Sequence, residues 1–273
     1  MELQNLNDEN YHSIEQRKKY MGSSQFKDFL KCEKYALAQI NGEIEEKSTD
    51  ALLFGSYVDA YFSGELKQFT EKHVTELYNS RTGELKASFK GVETVIKVIE
   101  NDAEMMKYLS GEHQVIMTGV IAGVDFKIKI DSYFPNKCIV DQKIMKDMNP
   151  MWIEKNNKNV KVDFIQGYRY DIQGAIYQEI VRQNTGKKLP FVLAVTTKEE
   201  FPDKALIQID QEYLDNALAE VVEKAPRFDA IKKGLIPPNE CGKCEACRKD
   251  KKVKGVKSYR KMFHPEENDE YEY

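Results

Sequence analysis

The segment DSYFPNKCIVDQK, residues 131–143, has the pattern of a β-hairpin turn followed by its second strand. Apolar and polar residues alternate just before it, in VDFKIKID (124–131), and Pro135-Asn136 is a typical turn pair. With the turn centred on Asn136, residues whose numbers sum to 272 (twice 136) lie opposite each other, so Asp131 faces Asp141. Side chains two residues apart share one face of a strand, which places Lys143 beside Asp141.

This predicted arrangement of charges has a chemical use. Two carboxylates that face each other across a sheet repel, and they need a compensating cation or a shared proton. A divalent metal is the simplest partner, because Mg²⁺ binds through a few carboxylates together with water and phosphate. A lysine on the same face would polarise a water or neutralise charge on a phosphorus centre. A solvated hairpin face is the alternative, because D-x-K also occurs often by chance.

Hydrophobic periodicity predicts helices before the hairpin, then a helix, two strands and a last helix after it. The predicted helices cover 24–40 (capped by Ser23 or Ser24), 50–63 (beginning at Thr49), 90–109, 163–183 and 211–232. The predicted strands lie on either side of Gly123 and then cover 137–145, 189–197 and 204–210. This order indicates an α/β or α+β fold with a mixed sheet.

Composition is that of a soluble globular protein. The chain has 273 residues, of which 41% are hydrophobic and 32% are charged, with both signs well represented. No stretch approaches the ~20 apolar residues that span a bilayer, and the polar N-terminus resembles no signal peptide. We therefore expect a cytoplasmic protein, in which the five cysteines are metal ligands or free thiols rather than disulfides.

We expect a single domain over residues 1–273, and its C-terminal end is strongly charged. The expected parts are a polar N-terminal segment (1–21), a core (22–240), a cysteine-rich and basic segment (241–262) and an acidic tail (263–273). RKDKKVKGVKSYRK (248–261) holds eight bases and one acid, and the last eight residues hold five acids. A basic run attracts phosphate regardless of sequence, and a solvated tail is the alternative interpretation.

The sequence resembles the PD-(D/E)xK nuclease superfamily, in which an Asp, about ten residues and then (D/E)-x-K lie on a β-hairpin. The blocks GSSQFKDFLKCEKYALAQINGE, ALLFGSYVDAYFSG, IAGVDFKIKIDSYF, IVDQK and YDIQGAIYQEI resemble the phage-type, exodeoxyribonuclease VIII-like nucleases of the RecB-like branch. They span residues 22–180. The resemblance implies a restriction-endonuclease-like core and a Mg²⁺- or Mn²⁺-dependent DNA exonuclease of phage recombination or replication. DNA and a single-strand annealing or recombination protein would be its partners.

The resemblance also implies roles for particular residues. Asp131, Asp141 and the carbonyl of Gln142 would hold the metal, with Lys143 as the catalytic lysine. Gln173 and Tyr177 match a Q-x-x-x-Y motif that lines the active site, and they extend a predicted ridge that begins at Gln166 and Tyr170. A polar flank of a core helix is the alternative for this ridge.

Two positions depart from the family pattern. Ile130 stands where the family has proline. Asp59 stands four residues after Gly55, where the family often has a histidine in G-x-x-x-H. A carboxylate still binds a hard cation, so Asp59 stays a candidate ligand, but the preferred metal is open because imidazole favours Mn²⁺ more.

Cys241, Cys244 and Cys247 form C-x-x-C-x-x-C, a spacing that favours three ligands of one [4Fe–4S] cluster. Related nucleases hold such a cluster with an N-terminal cysteine as well, which would be Cys32 here and would join the two ends of the chain. Cys138 is predicted to point away from Asp141 as a small core residue. Zinc is the alternative metal.

Two other functions remain compatible with the sequence. One is a catalytically inactive DNA-binding or scaffold protein on the same fold, which Asp59 in place of histidine keeps open. The other is an iron–sulfur redox protein, against which the lack of a recognisable second redox centre argues.

Overall fold

The computed structural model describes residues 6–44, 48–155, 158–253, 255–256 and 258–263. The acidic residues 266–273 and parts of the basic run lie outside them. The helices are α1 (Ile14–Lys19), α2 (Ser23–Lys31), α3 (Glu33–Ile40), α4 (Asp50–Phe62), α5 (Leu66–Lys72), α6 (Val74–Leu77), α7 (Val92–Glu100), α8 (Ala103–Leu109), α9 (Phe164–Tyr168), α10 (Tyr170–Thr185), α11 (Gln211–Lys232), α12 (Glu245–Lys249) and α13 (Tyr259–Phe263), with a 3₁₀ turn at Ala87–Phe89. The strands are β1 (Glu112–Ile121), β2 (Val124–Phe134), β3 (Cys138–Met145), β4 (Met151–Lys155), β5 (Lys158–Val162), β6 (Phe191–Thr197) and β7 (Lys204–Gln208).

A mixed sheet forms the centre of the described structure. Its strand order is β1-β2-β3-β6-β7, and β3 and β6 are parallel while the other neighbours are antiparallel. A parallel pair requires a long crossover, and here the crossover contains the β4–β5 hairpin, α9 and α10. The predicted α/β fold with a mixed sheet is therefore confirmed, and the β4–β5 hairpin is an element that periodicity did not predict.

Both faces of the sheet are covered. Alternate residues of β6 enter two different apolar clusters, Leu193 packing with α10 and α11 on one face and Val192 packing with α7 on the other. Every residue of β6 is buried as a result, which explains its nearly continuous apolar sequence. Cys138 is buried in the second cluster, on the opposite face from Ile139.

The predicted hairpin register is confirmed where the strands pair. Ser132 lies opposite Val140, and Tyr133 lies opposite Ile139, so both pairs sum to 272. Beyond them β2 pairs only with β1, and β3 pairs only with β6. The two strands therefore diverge at Asp131, whose carboxylate instead accepts a hydrogen bond from the Gln142 N–H at 2.8 Å.

Several predicted helices are interrupted. The helix predicted over 24–40 divides at Cys32, whose backbone is extended (φ −163°, ψ 115°). The helix over 90–109 divides where the Asp102 side chain caps α8, accepting from the backbone N–H groups of Glu104 and Met105. The helix over 163–183 divides at Arg169, which has left-handed backbone angles. The start of α4 at Thr49 is confirmed, because the Thr49 side chain accepts from Leu52 N–H. The predicted cap at Ser23 or Ser24 is wrong, because Gly22 is the capping residue of α2 and no side chain caps this helix.

Within the described residues, no helix is both long enough and apolar enough to cross a membrane.

Candidate active site

The divergence of β2 and β3 opens a cavity of about 340 Å³. Asp59 from α4 and Asp131 from β2 line this cavity, together with Gln173 and Tyr177 from α10. Asp141 on β3 lies deeper, with only 2% of its surface exposed. The fold thus brings the predicted acidic residues to the same end of the hairpin from three separate elements.

Electrostatic repulsion is present among these carboxylates. Burial, followed by the charges of Asp141 and Asp59, raises the pKa of Asp131 well above its usual value. Burial also raises the pKa of Asp59, and Asp141 adds to this effect. Negative charge concentrated in a partly dry site is what a divalent cation compensates, so charge and donor type both suit Mg²⁺ or Mn²⁺.

Protein donors engage each carboxylate in this conformation. Gln114 Nε2 lies 3.1 and 3.3 Å from the two carboxylate oxygens of Asp59. Gln173 Nε2 donates to Asp141 Oδ1 at 2.6 Å, while Lys143 Nζ lies 2.5 Å from Asp141 Oδ2. Among the described residues the aspartates do not form a ready set of metal ligands; an amide holds Asp59 and an ammonium holds Asp141 instead.

Lys143 is held by its surroundings as an ammonium. Burial alone would lower its pKa, but the charges of Asp141 and Asp131 outweigh burial and raise it above the usual range. A second lysine, Lys27 from α2, lies in the same electrostatic environment, and burial followed by the charge of Lys143 lowers its pKa to about 8. Two cations beside the carboxylates suit the binding of a phosphodiester.

The predicted glutamine and tyrosine ridge is shorter in the structure than in the sequence. Gln173 reaches Asp141, and the buried Tyr177 hydroxyl donates to the Lys129 carbonyl at 2.8 Å, joining α10 to β2. Gln166 lies on α9 and bonds to Asp163 instead, because the helix breaks at Arg169. Tyr177 therefore orients the strand that carries Asp131.

Gly55, which precedes Asp59 on α4, has room for a side-chain Cβ atom, so packing does not require glycine at this position. A Cβ placed on it would lie 4.0 Å from the Ile144 Cβ, an ordinary contact distance. Outside its own helix, no described atom therefore approaches Gly55 unusually closely.

The polar N-terminal segment, residues 7–20, forms one wall of the cavity. Asp8 pairs with Lys129 at 2.9 Å. The Lys127 ammonium donates to the Tyr11 carbonyl and lies over its ring. Tyr11 and Arg17 line the same cavity as Asp59 and Asp131. Periodicity gave no signal for this wall, because its contacts join residues more than 100 positions apart.

Gln114 is a further residue that sequence reasoning missed. It has a positive φ of 55°, which is unusual for a residue other than glycine, and it lies between the β1 residues that pair with Ile130 and Ser132. With this backbone conformation, the Gln114 side-chain amide donates to the Asp59 carboxylate. An isolated glutamine in a strand carries no sequence signal of such a role.

The four predicted cysteine ligands form a second candidate site. The Sγ atoms of Cys32, Cys241, Cys244 and Cys247 lie within 4.8 Å of one another. The Cys32 Sγ lies 3.6 Å from the Sγ atoms of both Cys244 and Cys247. Backbone N–H groups of Lys243 and Cys244 donate to Cys241 Sγ, and they lower its pKa to about 6. Such thiolate character suits a metal ligand.

The segments that carry these cysteines are also joined by polar contacts. Arg227 donates twice to the Glu33 carboxylate, at 2.8 Å each, and Asn239 N–H donates to it at 2.6 Å. Lys34 pairs with Glu240 at 3.0 Å. The contact between the start of α3 and the end of the core therefore does not depend on the thiols alone.

Comparison with known proteins agrees with this geometry. Residues 22–250 match the family described as a PDDEXK-like domain of unknown function, DUF3799. A crystal structure at 2.19 Å resolution, of a protein from Eubacterium rectale described as a putative exonuclease, is 43% identical and has a TM-score of 0.88. That match covers 95% of this chain and 98% of the other. No curated protein matches the chain. With a family match over most of its length and a hairpin that places Asp131, Asp141 and Lys143 together, this chain belongs to the PDDEXK-like family.

Proposed function

We propose that the protein is a divalent-metal-dependent DNA exonuclease. The observation that carries the proposal is the divergent β2–β3 hairpin, where Asp131, Asp141 and Lys143 meet beside Asp59. The phage recombination or replication role, and an annealing or recombination protein as partner, rest on the sequence resemblance.

The proposed ligands of the catalytic cation are Asp131, Asp141, the carbonyl of Gln142 and Asp59. When bound, Mg²⁺ or Mn²⁺ would supply an acidified water and neutralise charge on the phosphate. Gln173 holds the Asp141 carboxylate in orientation, and Tyr177 holds the β2 backbone next to Asp131. Lys143, released from Asp141, would place its ammonium against a non-bridging phosphate oxygen as charge develops there.

The wall formed by residues 7–20 favours an exonuclease over an endonuclease. Lys127 and Lys129 precede Asp131 on β2. Lys129 pairs with Asp8, and Lys127 donates to the Tyr11 carbonyl, so both ammonium groups are engaged by the wall. A strand entering beside Asp131 would meet this wall instead of passing through the cavity. A cavity of about 340 Å³ is of the order of one nucleotide, which fits a chain end.

Purified protein should degrade end-labelled linear DNA in Mg²⁺ or Mn²⁺, and EDTA should stop the reaction. Covalently closed circular DNA of the same strandedness should remain intact, because it offers no end to the cavity. Cutting of circles at a comparable rate would contradict the exonuclease assignment. DNA binding with no cleavage under any metal would support the inactive scaffold instead.

Replacing Asp59 with asparagine should weaken metal binding and change the relative activity in Mg²⁺ and Mn²⁺. The amide keeps the size of the side chain and its contact with Gln114, but it removes the charge that a hard cation prefers. Calorimetric titration of Mn²⁺ and Mg²⁺ measures the effect, with Asp50→Asn at the exposed start of the same helix as the control. Unchanged metal affinity and unchanged metal preference would make Asp59 a structural residue.

We also propose that the four cysteines hold a metal group. The C-x-x-C-x-x-C spacing favours a [4Fe–4S] cluster. Three of the six sulfur–sulfur separations are 3.6–3.9 Å, and all six are within 4.8 Å; the three shorter ones instead match the ~3.8 Å edge of a tetrahedron whose metal–sulfur bonds are about 2.3 Å, as for one zinc ion. A cubane of four irons would need the thiolates to lie farther apart, so the geometry favours a single ion. Either group would join Cys32 to the C-terminal segment.

A further inference from the structure

Two tyrosines separated by one residue stack beside the candidate catalytic lysine. The rings of Tyr168 and Tyr170 are 5.7 Å apart and inclined by only 29°. Lys143 Nζ lies 5.4 Å from the centre of the Tyr170 ring. Tyr170 is almost wholly buried, whereas Tyr168 is 48% exposed, so the stack is open to solvent on the Tyr168 side.

A continuous helix could not form this stack. Residues two apart on an α-helix point about 200° away from each other and do not meet. Arg169 makes the contact possible, because its left-handed backbone (φ 53°, ψ 49°) ends α9 and starts α10. Such a conformation is costly for a residue with a side chain.

Ion pairs hold this strained residue in place. The Arg169 guanidinium donates to both carboxylate oxygens of Asp171 at 3.1 Å, and to Glu220 of α11 at 2.6 Å. Lys224 supports Glu220 from the next helical turn at 2.6 Å. Strained backbone that is retained by several interactions is concentrated at functional sites. The kink at Arg169 therefore marks the two stacked rings as a candidate functional feature.

Position and charge indicate the ligand. The Tyr168 ring lies no more than about 11 Å from Lys143 Nζ, from the two separations above, which is within one or two nucleotides of a phosphate held at Lys143. Lys27 Nζ lies 5.4 Å from the Tyr170 ring centre and contacts the Tyr168 carbonyl at 3.4 Å. An aromatic face next to two lysines suits a nucleobase attached to a phosphate chain.

From these contacts we propose that Tyr168, supported by Tyr170 and the Arg169 kink, stacks on a nucleobase next to the scissile phosphate. Paired bases inside a duplex do not expose their faces, so the substrate at this point is single-stranded or frayed DNA. This rests on the proposed nuclease function and specifies its substrate class. Tyr168 is a positioning residue, since it orients the chain and does not touch the reacting atoms.

The experiment measures binding without cleavage, with Ca²⁺ in place of Mg²⁺. Short single-stranded oligonucleotides carry the fluorescent base 2-aminopurine at successive positions from the end. In the wild type, one position near the end should be quenched by stacking. Tyr168→Ala should remove that quenching and weaken binding by about 5- to 150-fold, the range that one base–aromatic stack contributes. Tyr168→Phe should retain both.

Three controls separate stacking from a structural role. Tyr213→Ala removes a tyrosine of α11 that is similarly exposed (53%), and it should leave binding unchanged. Tyr168→Leu preserves apolar packing but cannot stack, so it should behave like alanine. Replacing the quenched nucleotide with an abasic site should make wild type and Tyr168→Ala bind equally.

The proposal would be overturned by wild-type quenching in Tyr168→Ala, by rescue in Tyr168→Leu or by an equal loss in Tyr213→Ala. A protein that does not bind single strands, and that binds duplex without quenching any base near the duplex end, would also overturn it. If the wild type quenches the base but cleaves no DNA with any metal, the nuclease function is rejected, and the proposed stacking of Tyr168 on a nucleobase stands.

Discussion

The Asp131→Asn variant should be more than about 100-fold less active as a nuclease than the wild type. In EDTA it should be at least as stable as the wild type. Replacing an outer partner of a metal ligand already costs about 10- to 100-fold, so loss of a ligand should exceed that range. Asparagine keeps an oxygen that can accept the Gln142 N–H, and it removes a charge that Asp141 and Asp59 repel. The metal-free variant should therefore not melt lower, and relief of repulsion favours a higher melting temperature.

Asp141→Ala and Lys143→Ala should also abolish cleavage, but their stability should differ from that of Asp131→Asn. Asp141 accepts from Gln173 and pairs with Lys143, so alanine leaves two partly or fully buried polar groups without their partner. Such a loss costs about 1–3 kcal/mol. Lys143→Ala in turn leaves the Asp141 carboxylate without its cation in the metal-free protein, which is also unfavourable.

Rates on labelled linear DNA and thermal melting in EDTA measure these effects. Glu212→Gln, an exposed acid at the start of α11, is the matched control for loss of one negative charge and should behave as the wild type. Wild-type turnover in any one of the three variants would reject that residue as part of the site. A clear drop in the melting temperature of Asp131→Asn would show that repulsion is not the dominant effect there.

Cys32→Ser should remove the bound metal and lower the melting temperature. By analogy with disulfides, a cross-link from residue 32 to residue 241 would stabilise the fold by at most about 5 kcal/mol. At 2–4 °C per kcal/mol for a chain of this size, this is about 10–20 °C. The contacts of Glu33 with Arg227 and Asn239 hold the same segments, so the variant should still fold, with a decrease in the lower part of that range.

Cys138→Ala is the control for a buried cysteine outside the four-thiol cluster, and it should keep its metal. Metal analysis and absorption of anaerobically purified protein identify the group. Colourless protein with one zinc per chain is expected from the sulfur separations. Brown protein that absorbs near 400 nm would instead establish the [4Fe–4S] cluster. Protein without metal would contradict any metal group that joins Cys32 to the C-terminal cysteines.

Local sequence patterns were sufficient for the hairpin and for most single elements. Alternation and Pro135-Asn136 determine the register, because strand period and turn length leave little freedom over so short a distance. Thr49 begins α4 because a side-chain cap acts within three residues. Cys241, Cys244 and Cys247 are a recognisable set because three thiols at C-x-x-C-x-x-C spacing are typical of metal ligands, whereas Cys32 was assigned from the family resemblance.

The tertiary structure alone decided how these elements meet. Periodicity could not show that β2 and β3 diverge at Asp131, because divergence depends on β3 pairing with β6, about 50 residues later. The kink at Arg169 is stabilised by Glu220, and the Asp59 carboxylate is oriented by Gln114, 55 residues away. Local propensity reports only on neighbours along the chain, whereas these conformations are selected by contacts between distant segments that must be satisfied together.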